Sequence, residues 1–355
     1  MSSLAVHPNA TCGAFVYGVD LANLTLAEFD QIKAAFAEHG VLFFRDQDLT
    51  TRQHIEFAEC WGEINVNRFF TAHMDHPEIA IVAKEPDDET NIGGYWHSDH
   101  SYDVEPALGS ILVARELPTS GGDTQFASMR RAYEQLDTRT KHRIERLRAV
   151  HSVHHVFGAE AYAGAERGDF TDRLGNSDGA DEMVDVAHPM VIRHPLSGKN
   201  VLYVNPTFTI AIEGMDHGEA MGLLHGLYDH ATSDDFTFDF VWEPGSVAMW
   251  DNRAVWHSAR NDYPGQRRVM HRITIEGCAL EAPPELQRAD PTLAQRAGAT
   301  IAGGVVAATM DGIGMVIEPE RTKRPDIEIV GEAPEDEPHD TPAEPGVSFG
   351  DLPEI

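Results

Sequence analysis

The most informative part of the sequence for the fold is one apolar stretch, Ser246-Val247-Ala248-Met249-Trp250-Asp251-Asn252-Arg253-Ala254-Val255-Trp256-His257. It opens with an apolar run directly after the turn pair Pro244-Gly245, a pattern typical of a β-strand. Other short runs bounded by Gly, Pro or Asn predict further strands, at residues 41–45, 79–83, 109–114, 186–193, 201–205, 236–242 and 268–276. The sequence therefore predicts a mainly β protein with helical decoration, and the simplest such architecture is a double-stranded β-helix (jelly roll) core.

The helical signals are fewer. Residues 25–39 begin with Thr25 and Glu28 in the spacing of a capping box and end before Gly40, a suitable residue to follow a helix. Further helices are predicted at residues 51–60, 128–147 and 216–231 from their apolar spacing. These helices lie between predicted strands and are expected to cover the sheets.

Composition excludes several classes of partner. The formal net charge of −31 would repel the phosphates of nucleic acid and anionic membranes. No apolar run approaches the ~20 residues needed to span a bilayer, and the N-terminus lacks the features of a signal peptide. Three cysteines without a CxxC pair fit a reducing compartment, so a cytoplasmic protein is expected.

Composition also predicts the domain organisation. Residues 1–282 are expected to form the β domain, with a Gly-, Asp- and Ala-rich segment at 158–185 that is either a lid or an irregular surface insertion. Residues 283–324 form a C-terminal extension. Residues 325–355 hold ten acidic residues and six prolines without Lys or Arg. That composition predicts a tail that is disordered or draped on a partner subunit.

Two histidines and one carboxylate are the candidate metal ligands. In an extended strand the side chains of His97 and Asp99 lie on the same face, because residues i and i+2 align. His257 follows the apolar strand at 246–250 and could lie on a neighbouring strand. Two His and one Asp form the facial triad of non-haem Fe(II) oxygenases, which leaves positions open for a cosubstrate and dioxygen. A lone HxD pair also arises by chance in a chain with 19 histidines.

Two arginines strengthen this interpretation. Arg268 and Arg272 are four residues apart on a predicted strand, so both guanidiniums can point into one cavity. A guanidinium matches the geometry of a carboxylate or sulfonate and keeps its charge when buried. The alternative is an exposed strand decorated with cations. In such an acidic chain, a local cluster of arginines favours binding of an anion.

With these residues in place, the sequence resembles the Fe(II)/2-oxoglutarate-dependent dioxygenases typified by taurine dioxygenase and the aryloxyalkanoate dioxygenases. The resemblance covers roughly residues 12–277. The matching motifs, in order, are Phe44-Arg45-Asp46-Gln47, Trp96-His97-Ser98-Asp99, Glu116-Leu117-Pro118 through Gly121-Gly122-Asp123-Thr124, His194-Pro195-Leu196-Ser197-Gly198-Lys199, Val204-Asn205, Trp250-Asp251-Asn252-Arg253 with His257, and Gln266-Arg267-Arg268 through His271-Arg272.

The resemblance implies a role for each candidate residue. His97, Asp99 and His257 would bind Fe(II), with 2-oxoglutarate and O₂ as cosubstrates. Arg268 would pair with the distal carboxylate of 2-oxoglutarate, assisted by the Thr124 hydroxyl. The residues implied for substrate binding are Arg272, which would hold its anionic group, and Asn67, Phe70, Phe157 and Phe208, which would line its pocket.

The implied reaction is hydroxylation of a small anionic organic substrate, a sulfonate, alkyl sulfate or aryloxyalkanoate, with release of succinate and CO₂ and cleavage of a C–S or C–O bond. Asn67, Phe70 and Gly93 stand where taurine dioxygenase has other residues, so a larger or more apolar anion than taurine is expected. The alternatives are stable C–H hydroxylation of an amino acid or biosynthetic intermediate, or a non-catalytic jelly-roll metal-binding protein. A homo-oligomer, dimer or tetramer, is expected.

Overall fold

The computed structural model describes residues 4–158 and 178–287, which lie within the first of two units into which the chain divides, residues 1–296. The strands in these residues are β1 Ala5–Pro8, β2 Ala14–Tyr17, β3 Val41–Phe44, β4 Ile64–Asn65, β5 Ala72–His73, β6 His76–Lys84, β7 Gly109–Glu116, β8 Thr124–Ser128, β9 Arg148–His151, β10 Val186–Pro189, β11 Val191–Arg193, β12 Asn200–Leu202, β13 Thr209–Ile212, β14 Thr237–Phe240, β15 Val247–Asp251, β16 Val255–Ala259 and β17 Arg268–Ile275. The helices are α1 Leu26–His39, α2 Thr51–Glu59, α3 Met129–Gln135, α4 Thr138–Ile144, α5 His154–Phe157, α6 Asp178–Asp181, α7 His217–Ala231 and α8 Pro284–Gln287.

A nine-stranded sheet forms the base of the fold. Its strand order is β1-β2-β3-β15-β7-β17-β6-β5, with β4 also paired to β17. All its pairs are antiparallel except β2 with β3. A three-stranded sheet of order β14-β8-β16 carries the other half of the core, and two small sheets, β10-β9-β13 and β11-β12, complete the described strands.

The central strands of the large sheet are buried on both faces, and β3 shows how the sequence achieves this. Val41 and Phe43 point into the core shared with the three-stranded sheet, where the Phe43 ring lies 5.4 Å from that of Phe126. Leu42 and Phe44 point into a second core. Because side chains alternate along a strand, a run of four apolar residues supplies both cores at once.

Helices α1 and α2 cover the second core, and their ends follow the sequence signals. The capping box of Thr25 and Glu28 is present, and Gly40 ends α1 in the left-handed region with φ 73°. The prediction for residues 25–39 is therefore confirmed. Thr50 and Gln53 form a second capping box at the start of α2.

Two predicted elements are wrong in extent. The helix predicted at 128–147 is two helices, α3 and α4, because Asp137 caps α4 by accepting a hydrogen bond from the Thr140 amide at 3.0 Å. The strand predicted at 186–193 is split into β10 and β11, which pair in different sheets. The predicted lid at 158–185 is described only at residues 158 and 178–185, where α6 lies. Of the predicted extension at 283–324 only residues 283–287 are described, and the predicted tail at 325–355 lies outside the described residues.

No helix in the described part of the chain combines the length and apolar character needed to cross a membrane.

Candidate metal and anion site

His97 and His257 are held together by the backbone. The two residues form an isolated antiparallel bridge, in which the His97 amide donates to the His257 carbonyl at 3.1 Å and the His257 amide donates back at 2.9 Å. His257 lies on β16, as the prediction of a neighbouring strand required. The bridge places the two imidazole centroids 4.0 Å apart.

The prediction that His97 and Asp99 share an extended strand is wrong. Only His97 makes a bridge, and the chain then turns at His100, whose φ of 59° lies in the left-handed region. The Asp103 amide donates to the His100 carbonyl at 3.0 Å and closes the turn. Ser98 still points away from the two candidate ligands and donates its hydroxyl to the Asn252 carbonyl. The turn, rather than a strand, therefore presents Asp99 beside His97.

The three side chains converge on one point. One ligand atom from each of His97, Asp99 and His257 lies within 4.8 Å of the other two, and all three residues are buried. The Nε2 atom of each histidine is 3.5 Å from a carboxylate oxygen of Asp99. In residues 4–158 and 178–287 no other group of three His, Cys, Asp or Glu meets this criterion.

The donor set fits a divalent transition metal. Neighbouring ligands at ~2.1 Å from an octahedral ion lie about 3 Å apart, so the observed 3.5 Å separations need little adjustment. His97 Nδ1 is 2.7 Å from the Tyr95 carbonyl, which accepts a hydrogen bond and leaves the Nε2 lone pair free. Burial, and then the neighbouring His97, hold the pKa of His257 well below its usual range, so its imidazole is neutral. Although burial alone would raise it, the pKa of Asp99 is held well below its usual range by Arg272 and the two histidines.

Arg272 lies directly beside the candidate ligands. Its Nη1 atom donates to Asp99 Oδ2 at 3.1 Å, and its guanidinium stacks 4.4 Å from the centroid of the Phe70 ring. Arg272 Nε has no hydrogen-bond partner among the described residues. The guanidinium is therefore fixed on two sides and keeps donor capacity for an anion.

Arg268 lies on the same face of β17, as the four-residue spacing predicted, and is 5% exposed. Its Nε and Nη2 atoms have no hydrogen-bond partner within the described part of the chain. Burial lowers the pKa of this guanidinium, although an arginine stays protonated at neutral pH. Gly122, at φ 75°, allows the close approach, because a Cβ there would lie 3.2 Å from Arg268 Cδ. A buried cation that forms no ion pair with a carboxylate in the described part of the chain indicates a site for an anionic ligand.

Thr124 lies at the start of β8 and lines the same cavity as Arg268. Its hydroxyl oxygen accepts a hydrogen bond from the indole N–H of Trp242 at 2.9 Å. Sequence reasoning missed Trp242, although a signal was available. Phe236, Phe238, Phe240 and Trp242 recur with period two and place the indole on a buried face.

The cavity between these groups encloses about 160 Å³. Its polar end holds the candidate ligands with Arg268 and Arg272, while Phe70, Phe157 and Phe208 form an apolar wall. Trp250, whose ring centroid lies 4.6 Å from that of His257, also lines the cavity, a position that was not predicted from the sequence.

Asn67 is not among the described residues that line the cavity. Its Oδ1 atom accepts hydrogen bonds from the amides of Phe69 and Phe70 at 2.9 and 3.1 Å, so it holds the turn that presents the Phe70 ring. Gly93 does line the cavity, and a Cβ there would lie 3.2 Å from His97 Cε1. The absence of a side chain at position 93 thus leaves space beside the candidate metal ligand.

The chain is similar to known proteins over the part that contains this site. The profile of the family described as "Taurine catabolism dioxygenase TauD, TfdA family" matches residues 5–274. The (S)-phenoxypropionate/alpha-ketoglutarate-dioxygenase of Sphingobium herbicidovorans is 33% identical over 275 residues, which cover 76% of this chain and 93% of the relative.

Two solved structures are similar over most of their length. A taurine dioxygenase from Burkholderia xenovorans superposes with a TM-score of 0.66 at 34% identity, covering 79% of this chain and 94% of that structure. AAD-2 in complex with Mn(II) and N-oxalylglycine superposes with a TM-score of 0.65 at 28% identity, covering 79% of this chain and all of that one, 100%. The mainly β fold is thus shared with these proteins.

Proposed function

Because the chain belongs to the taurine catabolism dioxygenase TauD, TfdA family, we propose that it is a 2-oxoglutarate-dependent dioxygenase that hydroxylates a small anionic organic substrate. The observation that carries this proposal is the buried guanidinium of Arg268, whose Nε and Nη2 atoms have no hydrogen-bond partner among the described residues. This guanidinium shares one cavity with His97, Asp99 and His257. A metal site alone would not need a second buried cation. A dicarboxylic cosubstrate that reaches from the metal to a guanidinium does need one.

His97, Asp99 and His257 would hold Fe(II). The bound metal would supply the chemistry of dioxygen activation that oxidises the substrate C–H bond. The protein side of this arrangement is two imidazoles and one carboxylate, whose ligand atoms lie within 4.8 Å of one another. The hydrogen bond from His97 Nδ1 to the Tyr95 carbonyl keeps one ligand in the required tautomer.

Arg268 and Thr124 would bind the carboxylate of 2-oxoglutarate that is distant from the metal. Guanidinium and hydroxyl donors both line the cavity, and the desolvated guanidinium gains a partner when the cosubstrate binds. The AAD-2 complex holds both a metal and N-oxalylglycine, and this supports a combined site of the same kind here.

Arg272 would bind the anionic head of the substrate, and Phe70, Phe157 and Phe208 would surround its apolar part. Phe70 cannot donate a hydrogen bond to a sulfonate, and Gly93 leaves space where a side chain would otherwise stand. These residues favour an anion larger or more apolar than taurine. Asn67 would act on this pocket through Phe70, whose amide it holds.

The identity of the leaving group follows from the substrate. Hydroxylation of a carbon that bears a sulfonate, a sulfate ester or an aryloxy group gives an unstable product. It collapses to a carbonyl compound and releases sulfite, sulfate or a phenol. One oxygen atom of O₂ is incorporated into succinate and the other into the new hydroxyl group of the substrate. 2-Oxoglutarate loses CO₂ in the same reaction. A substrate without such a group would instead keep its new hydroxyl.

The test is to incubate the Fe(II)-loaded protein with 2-oxoglutarate, O₂ and a panel of sulfonates, alkyl sulfates and aryloxyalkanoates. We expect succinate to form together with one equivalent of sulfite, sulfate or phenol from at least one panel member. A His257→Ala variant is the control and should form neither product. Succinate formed with only a hydroxylated product would favour the stable-hydroxylation alternative. Absence of succinate under all conditions would favour the non-catalytic one.

We further infer that the nine-stranded and three-stranded sheets are the two halves of a double-stranded β-helix, or jelly roll. Their facing side chains, including Phe43 and Phe126, form one core, as expected for two packed sheets. We also propose that residues 1–282 form the dioxygenase domain and that the protein is a homo-oligomer. Size-exclusion chromatography with light scattering would test the second.

A further inference from the structure

Trp242 lies behind the cosubstrate end of the cavity. It follows β14, is 7% exposed, and packs its ring 4.8 Å from that of Phe240. Its indole Nε1 atom is 2.9 Å from Thr124 Oγ1, and this hydrogen bond is buried.

The direction of this hydrogen bond is fixed by chemistry. An indole N–H is a donor only, so the Thr124 oxygen must accept. A hydroxyl has a single proton, and that proton must then point away from Trp242. Because Thr124 lines the cavity with Arg268, the free proton can point toward the ligand space. Without the indole, the Thr124 hydroxyl could rotate and present a lone pair to a carboxylate, which would repel it.

The same indole lies beside the second donor. The Arg268 Cζ atom is 5.8 Å from the centroid of the Trp242 ring, within the range of a cation–π interaction. Gly122 packs against the Arg268 side chain, and the Asp262 carboxylate holds the Gly122 amide at 2.7 Å. Trp242 therefore contacts both groups that would bind the carboxylate.

We propose that Trp242 is a positioning residue for the cosubstrate: it fixes the Thr124 hydroxyl as a donor to the distal carboxylate and supports the Arg268 guanidinium beside it. This inference rests on the proposed function, because it assumes a dicarboxylic cosubstrate. The hydroxyl then needs no reorganisation when the ligand arrives, which lowers the cost of binding.

The test compares two ligands by isothermal titration calorimetry on the full-length, Fe(II)-loaded protein under argon. 2-Oxoglutarate carries the distal carboxylate, whereas 2-oxopentanoate has the same 2-oxo acid head and lacks it. Trp242→Phe keeps a buried ring and removes the N–H. Trp61→Phe is the matched control. The Trp61 indole N–H has no hydrogen-bond partner among the described residues, and its ring packs against Phe29 and Phe36, away from the cavity.

We expect Trp242→Phe to weaken 2-oxoglutarate binding about five- to tenfold, the size of one oriented hydrogen bond, and to leave 2-oxopentanoate binding unchanged. Trp61→Phe should change neither. Equal losses for both ligands would overturn the proposal, because a general packing defect does not distinguish them. Unchanged 2-oxoglutarate binding in Trp242→Phe would also overturn it. If wild-type protein with iron bound failed to bind 2-oxoglutarate, the proposed function itself would fall.

A second measurement uses the coupling between the two residues. Thr124→Val should weaken 2-oxoglutarate binding by about 10- to 100-fold in the wild-type background. In the Trp242→Phe background the same change should cost about five- to tenfold less, since the hydroxyl is no longer oriented there. Strictly additive effects would contradict the proposal.

Discussion

Replacing Arg268 by methionine should produce two opposite effects, and both follow from its surroundings. In the ligand-free protein Arg268 is 5% exposed, and the Nε and Nη2 atoms of its guanidinium lack hydrogen-bond partners among the described residues. Arg268→Met keeps an unbranched side chain and removes the charge. The free protein should lose nothing in stability, or gain, because a buried cation without a partner is itself destabilising.

Ligand affinity should change in the other direction. A bidentate guanidinium–carboxylate pair provides two charge-assisted hydrogen bonds, each contributing roughly 1.5–3 kcal/mol. Their loss amounts to about 3–6 kcal/mol, or roughly 10²- to 10⁴-fold weaker binding of 2-oxoglutarate. Binding of 2-oxopentanoate should hardly change, since it has no distal carboxylate to lose.

The matched control is one residue away. Arg267 immediately precedes β17, points outward and pairs with Glu85 at 2.9 Å and with Glu116. Arg267→Met should leave 2-oxoglutarate binding unchanged. The assay is calorimetric titration of each variant, combined with thermal unfolding of the ligand-free proteins. Equal losses of affinity in the two variants, or a large loss of stability in Arg268→Met alone, would refute the reasoning.

Three further predictions concern other residues. Gly122→Ala should weaken 2-oxoglutarate binding measured by calorimetry, because φ is 75° and the new Cβ would lie 3.2 Å from Arg268 Cδ; unchanged affinity would contradict this. Arg272→Met should raise the KM of the anionic substrate at least tenfold in steady-state assays while 2-oxoglutarate binding stays within about threefold; equal effects on both would remove its assignment. Burial lowers the pKa of His54 to about 3, so the unfolded chain alone takes up a proton below about pH 6.5. Stability measured by urea unfolding should therefore fall by ~1.4 kcal/mol per pH unit from pH 6.5 toward pH 4.5 on account of this residue. The change of the unfolding free energy with pH should become smaller by that amount in His54→Leu and stay the same in a variant of the exposed His142. An unchanged pH dependence in His54→Leu would contradict the assignment.

Local signals predicted the elements that local chemistry controls. The capping box of Thr25 and Glu28 and the left-handed Gly40 bound α1 as the sequence indicated. The apolar run at 246–250 corresponds to β15, Val247–Asp251, because its register is set by burial on both faces. Such features depend on neighbouring residues and can be recognised in one sequence.

Other features depend on long-range pairing. The alternation along β17 predicted that Arg268 and Arg272 lie on one face of the strand. It did not predict which residues pack against that face. The HxD segment was predicted as a strand, whereas its geometry comes from a turn at His100 and a bridge to His257 far along the chain. The contact between Trp242 and Thr124 joins two residues that are 118 positions apart in sequence, and the pairing of β14 with β8 brings them together. Spacing alone carries no information about such a contact.

The assignment of this cavity as a 2-oxoglutarate site can be tested by anaerobic titration of the Fe(II)-loaded, full-length protein with 2-oxoglutarate, monitored by visible absorption. A 2-oxo acid that chelates Fe(II) gives a weak charge-transfer band. We expect the band to appear with one equivalent of 2-oxoglutarate per chain and to be absent in His257→Ala. In Arg268→Met the band should require far more ligand. A protein that holds iron and shows no band at saturating 2-oxoglutarate would contradict the assignment of this cavity as a dioxygenase site.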